Sequence, residues 1–188
     1  MEEAMRKVCI VVIATICSLA FASRAQDTNA LKTKIGLFES QTGEIIVKGF
    51  SLMGTVPTGG AVIHVRCKES TSAATGQKFY GVALEIDTDE WRRLAVVDYD
   101  ELDGLLAAMD SLSKITFNAT PLQGFEATFT TKSSLEFIAF GDKQQGGIKP
   151  FLAYDNSPRI PLLPTQWNQL AVLIAQAKTA IDALAASR

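Results

Sequence analysis

Histidine occurs once in this chain, at position 64, and cysteine three times, at 9, 17 and 67. With a single imidazole, any Ser-His-Asp or Cys-His device must be built on His64. The run Ala61 to Lys68 reads as a strand, and residues three apart on a strand point to opposite faces, so His64 and Cys67 do not form a nucleophile pair within it. Phosphate loops are missing as well: Gly59-Gly60 and Gly146-Gly147 lack the lysine-serine or helix-opening context in which backbone amides cradle phosphate, and they read as turns. No motif calls for a cofactor, and none is expected. Charge of one sign is also scarce, with 18 basic against 20 acidic side chains. A footprint for nucleic acid or for an anionic membrane is therefore not present across the whole chain.

Long apolar runs are confined to one place. After Met5-Arg6-Lys7, the residues from Val8 to Ala22 are apolar or small without interruption. That run is shorter than the roughly twenty residues a membrane-spanning helix needs, and polar Ser23, Arg24, Gln26 and Asp27 follow at once. Residues 1–25 are therefore expected to be a signal peptide, cleaved after Ala20-Phe21-Ala22 or after Ser23-Arg24-Ala25; the second site leaves a polar Gln26 in front. Ile16 ahead of Cys17 does not suit a lipoprotein. The expectation is an exported protein, periplasmic or secreted, with no membrane span after cleavage. The mature chain keeps Cys67 alone, and 15 basic against 18 acidic side chains once Arg6, Lys7, Arg24, Glu2 and Glu3 are removed. Its stability must then come from a core rather than from disulfides, which a domain of this length can supply.

What remains reads as one α+β domain, residues 26–188, in two β-rich halves at about 31–116 and 124–186. Thr33 to Phe38 and Glu44 to Phe50 are expected as a hairpin across Ser40-Gln41-Thr42-Gly43. In the run Ala61 to Lys68, Ala61, Ile63, Val65 and Cys67 alternate with His64, Arg66 and Lys68, the pattern of a half-buried strand. Phe79 to Ile86 and Trp91 to Val97 supply further strands. Asp98 with Glu101 three residues on is an Asp-x-x-Glu capping box, so a helix should begin there, with Leu102, Leu105, Leu106, Met109 and Leu112 on one stripe. In the second half, strands are expected near 125–130, 135–140, 149–154 and 159–163, and then a helix from Thr165 to about Ala186. A shift of 65 places Leu102 on Trp167, Leu105 on Leu170 and Met109 on Ile174, which suggests an internal duplication. The alanine-rich last helix could approach a neighbour closely, either the sheet or a second subunit in a homodimer.

Two sets of residues are candidates for chemistry. Lys48, His64, Arg66 and Lys68 can form an anion-binding row on a sheet face. Asp98, Asp100, Glu101 and Asp103 alternate carboxylates as a calcium site would, and the wider region Asp87 to Asp103 is where a metal-dependent or hydrolytic enzyme would draw its acids. Acidic residues in a first helical turn are also expected from the helix dipole alone.

The segment Arg159-Ile160-Pro161-Leu162-Leu163-Pro164-Thr165-Gln166-Trp167-Asn168-Gln169-Leu170 is similar to the strand-into-helix end of the Whirly and PC4-type single-stranded nucleic-acid-binding fold. The order of about four strands and a helix, twice over, resembles that topology. The resemblance implies a sheet face able to hold an extended ligand. The acidic balance and the lack of a dense basic-aromatic row point away from nucleic acid as that ligand. The leading expectation is a non-enzymatic binding or interaction domain for a small ligand or an envelope protein.

Overall fold

The computed structural model describes residues 33–155 and 157–186; the expected signal segment lies outside them. Alternation builds the first sheet. Strands β1 (Ile46–Pro57), β2 (Val62–Ser72), β3 (Lys78–Asp87) and β4 (Arg92–Asp98) pair antiparallel in the order β1-β2-β3-β4. Ile63, Val65 and Cys67 of β2, Val82, Leu84 and Ile86 of β3, and Ala95 and Val97 of β4 are all buried on the inner face. Strands β5 (Gly124–Thr130), β6 (Leu135–Asp142), β7 (Ile148–Tyr154) and the short β8 (Ile160–Pro161) repeat the plan as a second antiparallel sheet, in the order β5-β6-β7-β8. A helix follows each sheet, α2 (Leu102–Ser113) after the first and α3 (Pro164–Ala186) after the second. The chain is thus an α+β fold of two β-rich halves, as the sequence indicates.

Each helix covers the other half's sheet. Helix α3 lies across β1, β2 and β3, while α2 packs on β5 and β6. Small residues let α3 come close: Leu173 sits where a side chain on Gly54 would be, and the Cys67 thiol reaches the Ala177 carbonyl at 3.4 Å. Ala177 of α3 thus packs on the sheet inside this chain, while Ala183, Ala185 and Ala186 are exposed. Trp167 joins the halves, stacking edge-on against Phe137 at 5.9 Å and donating from its indole N–H to the Met109 carbonyl at 3.2 Å. One continuous core results, with Leu102, Leu105 and Met109 buried beside Leu170, Ile174 and Ala177. Helix α3 is also long and apolar enough to cross a membrane, but its apolar stripe of Trp167, Leu170, Ile174, Ala177 and Ile181 is buried in this core.

The start of the first half departs from expectation. Lys34–Glu39 is not a strand but a short helix, α1. The Thr33 hydroxyl accepts from the Gly36 N–H at 2.9 Å, and the Asp98 carboxylate, 64 residues away, accepts from the N–H groups of Lys34 (2.6 Å) and Ile35 (3.2 Å). Ile35 and Phe38, three apart, then fall on one helical face and are buried against the outer face of the first sheet. Gly81 makes room for this: a Cβ there would stand 2.8 Å from the end of Ile35 and 2.4 Å from the Val97 carbonyl oxygen. β1 also runs further than expected, to Pro57, passing through a bulge between Leu52 and Gly54.

Candidate functional site

The outer face of the first sheet divides into a covered end and an open end. At the covered end α1 is clamped down by Glu39. Its carboxylate accepts from Lys68 (2.6 Å), Lys48 (2.7 Å) and the Ser70 hydroxyl (2.5 Å). Burial pushes the Glu39 carboxyl up, but the hydrogen bonds from Lys48, Lys68 and Ser70 outweigh it and hold it below its ordinary value. Phe38 and Phe79 pack ring to ring at 4.7 Å beside it.

At the open end, residues from all four strands surround a hollow of about 510 Å³ lined by Phe50, Arg66, Glu85, Arg92, Arg93 and Leu94. Cross-strand register puts them together: Phe50 faces Lys68, Leu52 faces Arg66, and Glu85 faces both His64 on β2 and Leu94 on β4. Phe50, Leu52 and Leu94 are 48%, 52% and 45% exposed, so an apolar rim stands in water around the arginines. Arg66 binds Glu85 at 3.1 Å, and Arg92 reaches both Glu85 (3.5 Å) and Asp87. The Arg92 hydrogen bond holds the Asp87 carboxyl below its ordinary range. Arg66 and Arg92 thus stand on this face with Glu85 and Asp87, while Arg93, opposite Ile86, has the strand parity of buried Ala95 and Val97 and reaches the hollow from the border of β4.

The four residues expected to bind an anion do share this face, but not as a free row. Lys48 and Lys68 are bound to Glu39, and Lys68 is buried. Arg66 alone of the four lines the hollow; His64 sits on β2 between Thr55 and Glu85. Sequence reading missed Leu94 and Arg92 because they stand on β4, two strands away from Arg66, and only the register unites them with Phe50 and Arg66. The exposed Phe50 in an alternating strand was the one available signal.

The acidic set is dispersed into structural work. Asp98 caps α1. Asp100 pairs with Lys34 (2.8 Å) and Lys132 (3.3 Å), which hold its carboxyl low. Glu101 accepts from the N–H groups of Asp98 (3.3 Å) and Lys132 (2.8 Å), the reach-back half of the capping box, ahead of a 3-10 turn at Tyr99–Glu101 that leads into α2. Asp103 faces Lys178 at 3.6 Å. Among the described residues no group of three or more His, Cys, Asp or Glu side chains is placed to hold a metal ion. The four carboxylates expected as calcium ligands are thus engaged in caps and ion pairs.

No protein family, curated protein or solved structure matches the chain. The likeness to the Whirly and PC4-type fold thus rests on the order of elements, four strands and a helix repeated once.

Proposed function

We propose that this protein is an exported, non-enzymatic binding domain, and that its ligand-contacting surface is the open end of the first sheet's outer face. The observation that carries the reading is the hollow itself: exposed Phe50 and Leu94 stand around Arg66 and Arg92, with exposed Leu52 opposite Arg66. Apolar side chains grouped in water mark a contact surface more often than they occur by chance on a monomer. Their combination with the guanidinium groups of Arg66 and Arg92 suits a ligand with a flat apolar body and an anionic group that competes with Glu85 and Asp87 for the planar fork of donors. The export part of the reading rests on residues 1–25.

The test is native mass spectrometry of the protein isolated from an exporting host without denaturation. The wild type should carry a co-purifying mass, and Leu94→Glu, which sets a like-signed carboxylate against an anionic ligand, should lose it. A bare protein, or a mass retained by Leu94→Glu, counts against the reading.

Single-stranded nucleic acid is a second reading, favoured by the repeated strand-helix order and by an exposed aromatic, Phe50, beside Arg66 on a sheet face. It requires retention on oligonucleotides that weakens with salt and falls when Arg66 is neutralised. Salt-independent behaviour removes it.

A further inference from the structure

Sheet edges carry unpaired backbone groups, and natural proteins blunt them with short strands, prolines and free charges. The other three edges here are short: β8 is two residues long and includes Pro161, and β5 and β4 are seven residues each, β4 opening with Arg92-Arg93. β1 is the exception. It is the longest strand, 12 residues, and it forms an edge of the first sheet. Its one cation, Lys48, is drawn to Glu39 at 2.7 Å, and proline occurs only at its last position. Apolar side chains stand exposed on both faces of the strand and just before it: Val47, Phe50, Leu52 and Ile45.

From the edge geometry we infer that β1 pairs antiparallel with β1 of a second copy of this chain, about a two-fold axis at Gly49, joining the two first sheets into one. The backbone sets which groups are free. At one end the Ala73 N–H donates to the Ile45 carbonyl, and at the other the Thr58 N–H donates to the Ala61 carbonyl. Counting inward from both ends in alternation, through the bulge, gives the same answer: residues 47, 49 and 51 bond to β2, while Ile46, Lys48, Phe50 and Leu52 turn their N–H and C=O groups to the open edge.

The regular segment before the bulge runs from Ile46 to Leu52, and its midpoint is Gly49. Pairing about that point sets Ile46 opposite Leu52 and Lys48 opposite Phe50, in both directions. All four edge-facing residues then meet one another, and an ammonium lies beside an aromatic ring rather than beside its own copy. Centring the pair on Lys48 instead would set like charges face to face. An isologous contact of this kind is closed, so the association stops at two. The axis stands normal to the sheet, so the outer faces, and the two hollows with their Phe50 walls, lie on the same side. The inference stands apart from the ligand reading, since it needs only the edge.

The experiment is light scattering of the full chain across the micromolar range, together with three variants. The wild type should be a dimer. Phe50→Lys places a second cation against Lys48 of the other copy and should give a monomer, whereas Phe50→Glu places a carboxylate there and should keep the dimer, with a salt dependence the wild type lacks. Gly49→Cys sets two thiols at the axis within the Cα separation a disulfide accepts, and mild oxidation should give a cross-linked dimer well above the wild-type background. A monomer at every concentration overturns the inference. So does a dimer that survives Phe50→Lys and is not cross-linked through position 49.

Discussion

The two sheets share an order of strands but treat their outer faces in opposite ways. In the second sheet the face is bridged by its own edges. The Arg159 guanidinium, just ahead of β8, donates to both carboxylate oxygens of Glu126 on β5, at 2.7 and 2.9 Å. These are the two borders of the sheet, so the pair spans it, and Ile138 on β6 beneath is fully buried although it shares that face. In the first sheet a separate helix closes one end and nothing in the described chain closes the other. Two halves with one strand order thus differ on their outer faces: an ion pair bridges the second over a buried Ile138, and the first leaves an apolar rim around Arg66 and Arg92 in water. A sheet face is kept open only at a cost in solvent-exposed apolar surface, and that asymmetry directs attention to the first half.

The largest expected effect comes from separating the halves. Because α2 covers the second sheet and α3 the first, a chain broken between Thr120 and Pro121 leaves each fragment with a bare inner face. Each alone should show no cooperative thermal transition, losing the whole stability of the fold, about 5–15 kcal/mol for a domain of this kind. Mixed, the fragments should recover it. Independent folding of either fragment would break the picture of interlocked halves.

Removing the α1 cap comes next. Asp98→Ala leaves the Lys34 and Ile35 N–H groups without their acceptor and should cost about 1–3 kcal/mol in denaturant midpoint at unchanged slope. Faster amide exchange confined to α1 would show that the covered end of the first sheet has become like its open end.

How much of this was legible beforehand follows from the same residues. Periodicity found β2, β3 and α2 because Ile63-Val65-Cys67 and Leu102-Leu105-Met109 repeat at the spacing of a sheet and a helix. It misread Thr33–Phe38, since six residues hold too little period to separate strand from helix, and the deciding partners, Asp98 and Gly81, lie far along the chain. The site was half legible for a related reason: alternation put His64, Arg66 and Lys68 on one face, but Glu39 takes Lys68 out of play, and a turn of helix arriving from elsewhere in the sequence leaves no local mark on β2. The capping role of Asp98 was also readable: with Glu101 it forms the capping box at the turn leading into α2, and its carboxylate caps α1 besides.

Acid offers a smaller, graded test. The Glu39 carboxyl is held below its ordinary value of 4.5, so its contribution is fully present above that value and is lost as pH falls through the folded-state value. Protection of α1 amides should therefore decline at acid pH before the sheets melt, and Glu39→Gln should remove that decline. Smallest of all is the latch on the second sheet: Arg159→Ala breaks an exposed ion pair and should leave the denaturant midpoint almost unchanged, while uncovering Ile138 to solvent. If that variant acquired an affinity for apolar anions, the contrast between the sheets would reduce to one ion pair.

The central claim is that the open end of the first sheet's outer face is the contact surface. Its most direct test is an amide NMR titration with an aryl sulfonate, a flat apolar body carrying one anionic group. The account predicts saturable shifts grouped at Phe50, Arg66, Arg92 and Leu94, with β5 to β8 unmoved. Shifts spread evenly over both sheets, or gathered on the second, would contradict it.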